Sequence, residues 1–209
     1  MTAKTHFDLA LYLLRNITDF GSAFENAAFI IGCVEPDMNV TTYLKGSLSY
    51  QPLRGHNYPN TAHYIEALLG KMQRCEKTGI LYCYRLGKLL HYLTDAFTYP
   101  HNQNFTGTLR EHVLYEQKTE KVFESALSAR KVTPNAYEAN KLYEFFSSKH
   151  EEYMKQQPGA ETDIQFILNV IPFVFHSLYI HASIAYRRDM ECCESSLTSE
   201  LVCIKNSQS

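Results

Sequence analysis

The sequence predicts an all-α protein, folded as a single helical domain of about seven helices. Apolar residues recur at helical spacing over long stretches, and no segment is a confident strand. Glycine and proline, which interrupt regular structure, number only 9 and 7 in 209 residues. A chain of this length can bury one sizeable core and is short for two independent domains.

The predicted helices follow from this spacing and from local start and stop signals. In chain order they cover residues 5–19, 22–33, 59–76, 78–98, 108–130, 134–156 and 161–189. Thr133 and Pro134 form a cap and first turn, and Thr162 can cap the last helix. Pro100 disfavours helical backbone in Tyr99, so the fourth helix should end there.

Two segments are predicted to be irregular. Residues 34–58 contain several glycine and proline breaks and should form a long loop, of the kind that often carries function. The serine-rich end of the chain should be frayed. We therefore predict a domain over residues 1–194 and a disordered tail over residues 195–209.

Composition and charge narrow the class of protein. The 20 basic and 22 acidic residues give a net charge of −2, so no stable nucleic-acid partner is expected. Residues 164–186 carry no formal charge, but Asn169, His176 and His181 would be costly in lipid, so we expect a core helix and no transmembrane segment. The first residues lack the pattern of a secretory signal, and the six cysteines are scattered, which predicts free thiols and a cytoplasmic location.

Potential metal ligands are crowded into one short part of the chain. His91 and Asp95 are four residues apart on a predicted helix, which places them on one face with Cβ atoms about 5–6 Å apart. His112 and Glu116 repeat this spacing on the next helix. A single such pair is usually a surface ion pair. Two pairs in succession are harder to obtain by accident, and on spacing alone a metal site and chance placement on polar helix faces are equally supported.

A fifth ligand, His101, follows directly after Pro100 at the break between the two helices. Imidazole together with carboxylate suits a divalent ion, above all zinc. Two neighbouring ions held in this way could bind a phosphate ester and activate water. The spacing is therefore compatible with a centre of two metal ions, and chance placement of these residues is the alternative.

The string H-x3-D-x5-H followed by H-x3-E resembles the core of the zinc-dependent phospholipase C and single-strand nuclease superfamily. That resemblance implies an all-α fold with up to three zinc ions. It implies that His91 and Asp95 bind one zinc ion, that Asp95 bridges to another, and that His101, His112 and Glu116 bind a second.

Upstream residues extend the resemblance. The segment "IIGCVEPDMN" resembles the family's G-x-x-x-P-D pattern, which makes Asp37 a zinc ligand and the candidate general base. Taken alone, Asp37 would be an ordinary turn residue. A further histidine ligand usually follows, and we prefer His56 to His63 because His56 precedes a helix and lies beside Gly55.

The N-terminal ligand departs from the pattern. His6 matches a histidine that binds a third zinc ion together with the first residue of the chain, commonly tryptophan. This chain has no tryptophan. A third site would therefore be weak, be completed differently, or rely on the amine of Met1 or Thr2.

The resemblance implies a metal-dependent phosphoesterase that hydrolyses a phosphodiester or a phospholipid head-group bond in a small-molecule or lipid substrate. The alternatives are a single-strand nuclease or nucleotide phosphatase, a specialised biosynthetic enzyme, and a non-hydrolytic metal-binding protein on the same scaffold. Of the remaining histidines, His176 and His181 are expected to be satisfied core residues and His150 to be solvated.

Overall fold

The structure is a computed structural model, which describes residues 1–18, 20–39, 57–75, 78–129 and 141–206, with side chains as far as Ile184 in the last range. Those residues contain seven α-helices and no β-strand, so the predicted all-α class is confirmed. The helices are α1 (Ala3–Asn16), α2 (Ala23–Met38), α3 (Tyr58–Gln73), α4 (Ile80–Ala96), α5 (Leu109–Ala129), α6 (Leu142–Met154) and α7 (Ala160–Asn206). The predicted cap at Thr133 and Pro134 and residues 40–56 of the predicted loop lie outside the described residues.

Helix α4 lies at the centre of the fold. It packs against α1, α2, α3 and α7, and every residue from Leu89 to Ala96 is buried. Its leucines supply the apolar surface for this packing, and Thr94 stays satisfied because its hydroxyl donates to the carbonyl oxygen of Leu90 at 2.7 Å. Any charged residue on this part of α4 must therefore lie in the protein interior. His91 and Asp95 are two such residues.

Helices α2 and α4 cross at a distance that only glycine allows. A Cβ atom at Gly32 would overlap the carbonyl oxygen of Tyr84, and one at Gly87 would overlap the carbonyl oxygen of Phe29. The contacts advance in step along both helices, so Cys33 lies opposite His91. This close crossing brings the last turn of α2 against the end of α4 that carries His91 and Asp95.

The last turn of α2 corrects the sequence prediction, which ended this helix at residue 33 and made Asp37 a loop residue. The helix continues through Pro36 to Met38. Proline lacks one hydrogen-bond donor, but the turn is held to α4 because Glu35 accepts from Lys88 Nζ at 2.7 Å and from the Tyr84 hydroxyl at 3.2 Å. Asp37 is thus presented by a helix end.

The chain reverses after α4 through a tight turn. As expected from Pro100, regular helix stops before that residue, at Ala96, and a short 3-10 helix follows over Tyr99–His101. Asn102 closes the turn, since its Nδ2 atom donates to the carbonyl oxygens of Ala96 at 2.9 Å and Thr98 at 3.0 Å. The turn thereby fixes the position of His101.

Helix α7 covers α4, α5 and α6 on the other side. It begins at Ala160, because the amide of Asp163 already donates to the carbonyl oxygen of Gly159 at 2.9 Å, so Thr162 lies inside the helix and is not its cap. The part from Ala160 to Ile184 is long and apolar enough to cross a membrane, and 56% of its most apolar window is buried in the protein, as in a core helix. The helix extends to Asn206, past the predicted start of the tail, and the domain boundary stays a prediction.

The close crossing gives the first testable prediction. Gly87→Ala should force α2 and α4 apart, because the added methyl group would overlap backbone atoms of Phe29 and Cys33. Overpacking of this kind costs about 1–3 kcal/mol of unfolding free energy. Urea unfolding measures the loss.

A glycine elsewhere supplies the matched control. In α3, a Cβ at Gly70 would lie 3.4 Å from the guanidinium of Arg74, a side chain that can move. Gly70→Ala should therefore gain about 0.5–1 kcal/mol from helix propensity. If both variants had the same unfolding free energy, the close crossing would be contradicted.

Candidate metal centre

Four predicted ligands from three helices form a first cluster. His6 comes from α1, Asp37 from the end of α2, and His91 and Asp95 from adjacent turns of α4, and their ligand atoms all lie within 4.8 Å of one another. His6 Nε2 is 3.2 Å from Asp95 Oδ1, and His91 Nε2 is 3.3 Å from Asp95 Oδ2. Asp37 approaches from the opposite helix, with Oδ1 3.7 Å from His91 Nε2.

A hydrogen bond to the backbone of α2 orients the ring of His91. Its Nδ1 atom lies 2.9 Å from the carbonyl oxygen of Cys33, which can only accept a hydrogen bond. Nδ1 therefore carries a proton, and Nε2 faces the carboxylates of Asp95 and Asp37, where a cation would be held. The ring of His6 stacks on that of His91 with centroids 4.0 Å apart, so the two imidazoles are held as a pair.

Three predicted ligands form a second cluster. His101 comes from the 3-10 helix, and His112 and Glu116 lie one turn apart at the start of α5. Glu116 Oε1 is 3.2 Å from His101 Nε2 and 3.0 Å from His112 Nε2. The i, i+4 spacing read from the sequence thus does place both α5 residues on one face.

Asp95 connects the two clusters. Its Oδ2 atom lies 3.3 Å from His91 Nε2 in the first cluster and 3.6 Å from His101 Nδ1 in the second. The amine of Met1 is inserted between the clusters, 2.7 Å from Asp95 Oδ1 and 3.1 Å from Glu116 Oε1. A positive charge therefore already lies between these two carboxylates.

Burial and the neighbouring charges shift the pKa values of several groups in the site. Burial alone would lower the pKa of the Met1 amine. The neighbouring carboxylates of Asp95 and Glu116 outweigh burial and raise this pKa to about 11. Burial and the neighbouring His91 lower the pKa of His6 to about 4, which keeps its imidazole neutral. The pKa values of Asp95 and Glu116 both lie well below the usual range: burial would raise them, but the surrounding cationic groups outweigh it.

The donor set suits zinc. Each cluster combines neutral or neutralisable imidazoles with at least one carboxylate, the ligand types that zinc takes in proteins. The Met1 ammonium, as a stand-in cation, shows that the buried carboxylates accommodate positive charge. The sequence-predicted residues that the structure brings together are His6, Asp37, His91, Asp95, His101, His112 and Glu116.

The sequence offered His56, or alternatively His63, as a further ligand. His56 lies outside the described residues and stays a prediction. The alternative, His63, belongs to neither cluster: its side chain is 85% exposed and pairs with Glu66 at 3.9 Å. Of the two predicted core histidines, His181 is satisfied through the carbonyl oxygen of Gln73 at 2.8 Å, whereas the buried Nδ1 atom of His176 has no hydrogen-bond partner among the residues that the structure describes.

His150 was predicted to be solvated, and that prediction is wrong. Its side chain is buried, stacks against Tyr58 with centroids 3.8 Å apart, and places Nε2 2.9 Å from Asn102 Oδ1. Burial lowers its pKa to about 4 despite a hydrogen bond to Ala96. Because Asn102 follows His101, the pair of His150 and Asn102 supports the turn that carries the predicted ligand His101. The charged residues next to His150 in the sequence do not indicate that this histidine is buried.

The comparisons with known proteins agree with this geometry. Residues 5–160 match the family described as zinc dependent phospholipase C, and the chain belongs to that family. The match spans both clusters, and family membership makes the protein a zinc hydrolase in general terms. No curated protein and no solved structure matches the chain.

The shared carboxylate gives the second prediction. Asp95→Asn should remove most of the bound zinc, because the amide cannot supply the negative charge that both clusters use. Elemental analysis of the folded, undialysed protein measures the zinc per chain. Asp8→Asn is the matched control, since Asp8 pairs only with surface Lys4 at 3.1 Å among the contacts described. Full zinc content in the Asp95 variant would rule out the shared role.

The pKa of His150 gives the third prediction. The unfolded chain binds a proton at this histidine near pH 6.5, whereas the folded protein does so only near pH 4. Between these values the unfolded state binds more protons, so stability falls as the pH is lowered. The loss should reach about 2 kcal/mol at pH 4.5.

Urea unfolding of EDTA-treated protein at pH 7 and pH 4.5 isolates this effect from zinc loss. His150→Gln keeps a donor for Asn102 Oδ1 but does not titrate. The variant should therefore lose about 2 kcal/mol less than the natural chain over this pH change. Equal losses would show that His150 is not buried as a neutral group.

Proposed function

We propose that the protein is a zinc-dependent phosphoesterase that hydrolyses the head-group bond of a phospholipid or a small phosphodiester. The observation that carries the proposal is the pair of imidazole and carboxylate clusters, the first largely buried and the second partly buried, that are joined through Asp95. Membership of the zinc dependent phospholipase C family supports it. The two clusters supply donors for two zinc ions.

The chemistry divides between the ions and the side chains. Zinc ions at two neighbouring sites would neutralise phosphate oxygens and make water a better nucleophile. Asp95 would hold the two sites together, and the oriented ring of His91 would keep Nε2 directed at the first site. These residues are buried, so they act by holding the centre and not by proton exchange with solvent.

Asp37 is the member of the first cluster that a substrate could reach. Its side chain is 15% exposed, while those of His91 and Asp95 are 0% exposed. A carboxylate at the edge of the centre can accept the proton from an attacking water, which is the task of a general base. We assign this role to Asp37.

Two features support a lipid or small substrate over a nucleic acid. The net charge of −2 offers no excess of basic residues for a phosphate backbone. Leu109 and Val113 are 79% and 45% exposed, and helical spacing places them on the α5 face that carries His112 and Glu116. An apolar edge beside the second cluster suits the acyl part of a lipid.

The fourth prediction concerns turnover. Zinc-loaded protein should hydrolyse a chromogenic phosphocholine ester, lose this activity in EDTA, and regain it when zinc is restored. His63→Gln, at an exposed histidine outside both clusters, should retain full activity, whereas His91→Gln should lose it.

Parallel assays with single-stranded DNA and a nucleoside monophosphate test the alternatives. Cleavage of either one without turnover of the ester would replace the proposal with a nuclease or a nucleotide phosphatase. Zinc binding without hydrolysis of any of the three would indicate a biosynthetic enzyme or a non-hydrolytic protein on this scaffold.

A further inference from the structure

A buried carboxylate lies behind the second cluster. Asp163, in the first turn of α7, is 0% exposed and lies beyond residue 160, where the family match ends. Its Oδ2 atom accepts from the amide of Tyr99 at 3.1 Å and from the hydroxyl of Tyr115 at 2.9 Å. Its Oδ1 atom accepts from the hydroxyl of Tyr153 at 2.8 Å.

Two of these donors belong to the segments that carry the second cluster. Tyr99 begins the 3-10 helix that ends at His101, and Tyr115 directly precedes Glu116 on α5. A single oxygen atom, Asp163 Oδ2, therefore ties both segments together. The third donor, Tyr153, lies on α6, which carries none of the predicted ligands.

Burying an ionisable group at this position is unfavourable in free energy. Burial raises the pKa of Asp163 to about 6, although its three hydrogen bonds oppose the shift. Apolar residues of similar size often pack into such an interior at lower cost. The carboxylate instead accepts three hydrogen bonds from three different segments. We explain the presence of a carboxylate here by its effect on those segments, whose relative positions it fixes.

We infer that Asp163 is a positioning residue that sets the separation of His101 from Glu116, and so the affinity of the second cluster for its zinc ion. The inference rests on the proposed function, because it needs that cluster to bind metal. Asp163 touches neither ligand and acts through the Tyr99 amide and the Tyr115 hydroxyl. Loss of such an outer contact weakens metal binding by about 10- to 100-fold.

The test compares Asp163→Ala with Asp163→Asn. Alanine removes every acceptor, whereas asparagine can accept from Tyr99 and Tyr115 through its oxygen and donate to Tyr153 through its nitrogen. Metal-free protein is titrated with cobalt(II), which reports each site by visible absorption, and zinc per chain is measured separately. Asp163→Ala should weaken one of the two sites by about 10- to 100-fold, and Asp163→Asn should restore it.

A matched pair of tyrosine variants covers the case in which Asp163→Ala fails to fold. Tyr115→Phe and Tyr153→Phe each remove one hydroxyl from the same carboxylate, but only Tyr115 lies on a ligand-bearing helix. Tyr115→Phe should weaken the second site more than Tyr153→Phe when their unfolding free energies are similar.

The outcomes separate this inference from the proposed function. If the natural chain binds two ions and the two tyrosine variants bind them equally well, the positioning role is overturned while the zinc centre stands. A weakening of both sites in equal measure would also overturn it, since that marks general destabilisation. If the natural chain binds no zinc, both proposals fail.

Discussion

The structure depends on one buried carboxylate, that of Asp95, held at the centre of the helical core. Removing a carboxylate from water costs several kcal/mol even after the protein relaxes, so it must be compensated by nearby positive charge or by hydrogen bonds. Asp95 is surrounded for this purpose by His6, His91, His101 and the amine of Met1. These groups come from the N-terminal residue and α1, from α4, and from the turn after α4, so one carboxylate determines how three parts of the chain meet.

The supports around this carboxylate lie on different helices. On one side the glycine crossing lets the carbonyl oxygen of Cys33 orient His91 and brings Asp37 within reach. On the other side Asn102 and His150 hold the turn that presents His101. Each of these contacts fixes either the position of the backbone or the orientation of an imidazole ring. A zinc centre needs such preorganisation, because ligand direction as well as ligand type determines metal affinity.

The sequence predicted the parts of the site that depend on local geometry. His91 with Asp95 and His112 with Glu116 meet because residues four apart share a helix face whatever the tertiary fold. Asp37 was identified by resemblance, but its helix was ended too early because Pro36 was treated as a break. Glu35 and Lys88, whose contact stabilises the last turn of this helix, are 53 residues apart, so no local sequence pattern predicts the contact.

The parts that sequence could not predict are long-range and chemically ordinary. Asp163 and Tyr115 are 48 residues apart, as are His150 and Asn102, and neither pair belongs to a motif. A polar residue in a charged stretch indicates solvent exposure, and only packing reveals that His150 is covered. The helical class, in contrast, followed from apolar spacing over many residues, where single errors average out.

The most direct test of the account is the position of zinc in a crystal, located by anomalous scattering at the zinc absorption edge. We expect two separate zinc peaks about 3.5–4 Å apart. One should lie about 2.0–2.2 Å from ligand atoms of the first cluster, including Asp95, and the other at the same distance from His101, His112 and Glu116. Zinc bound only at other surfaces, with both clusters lacking a peak, would contradict the account.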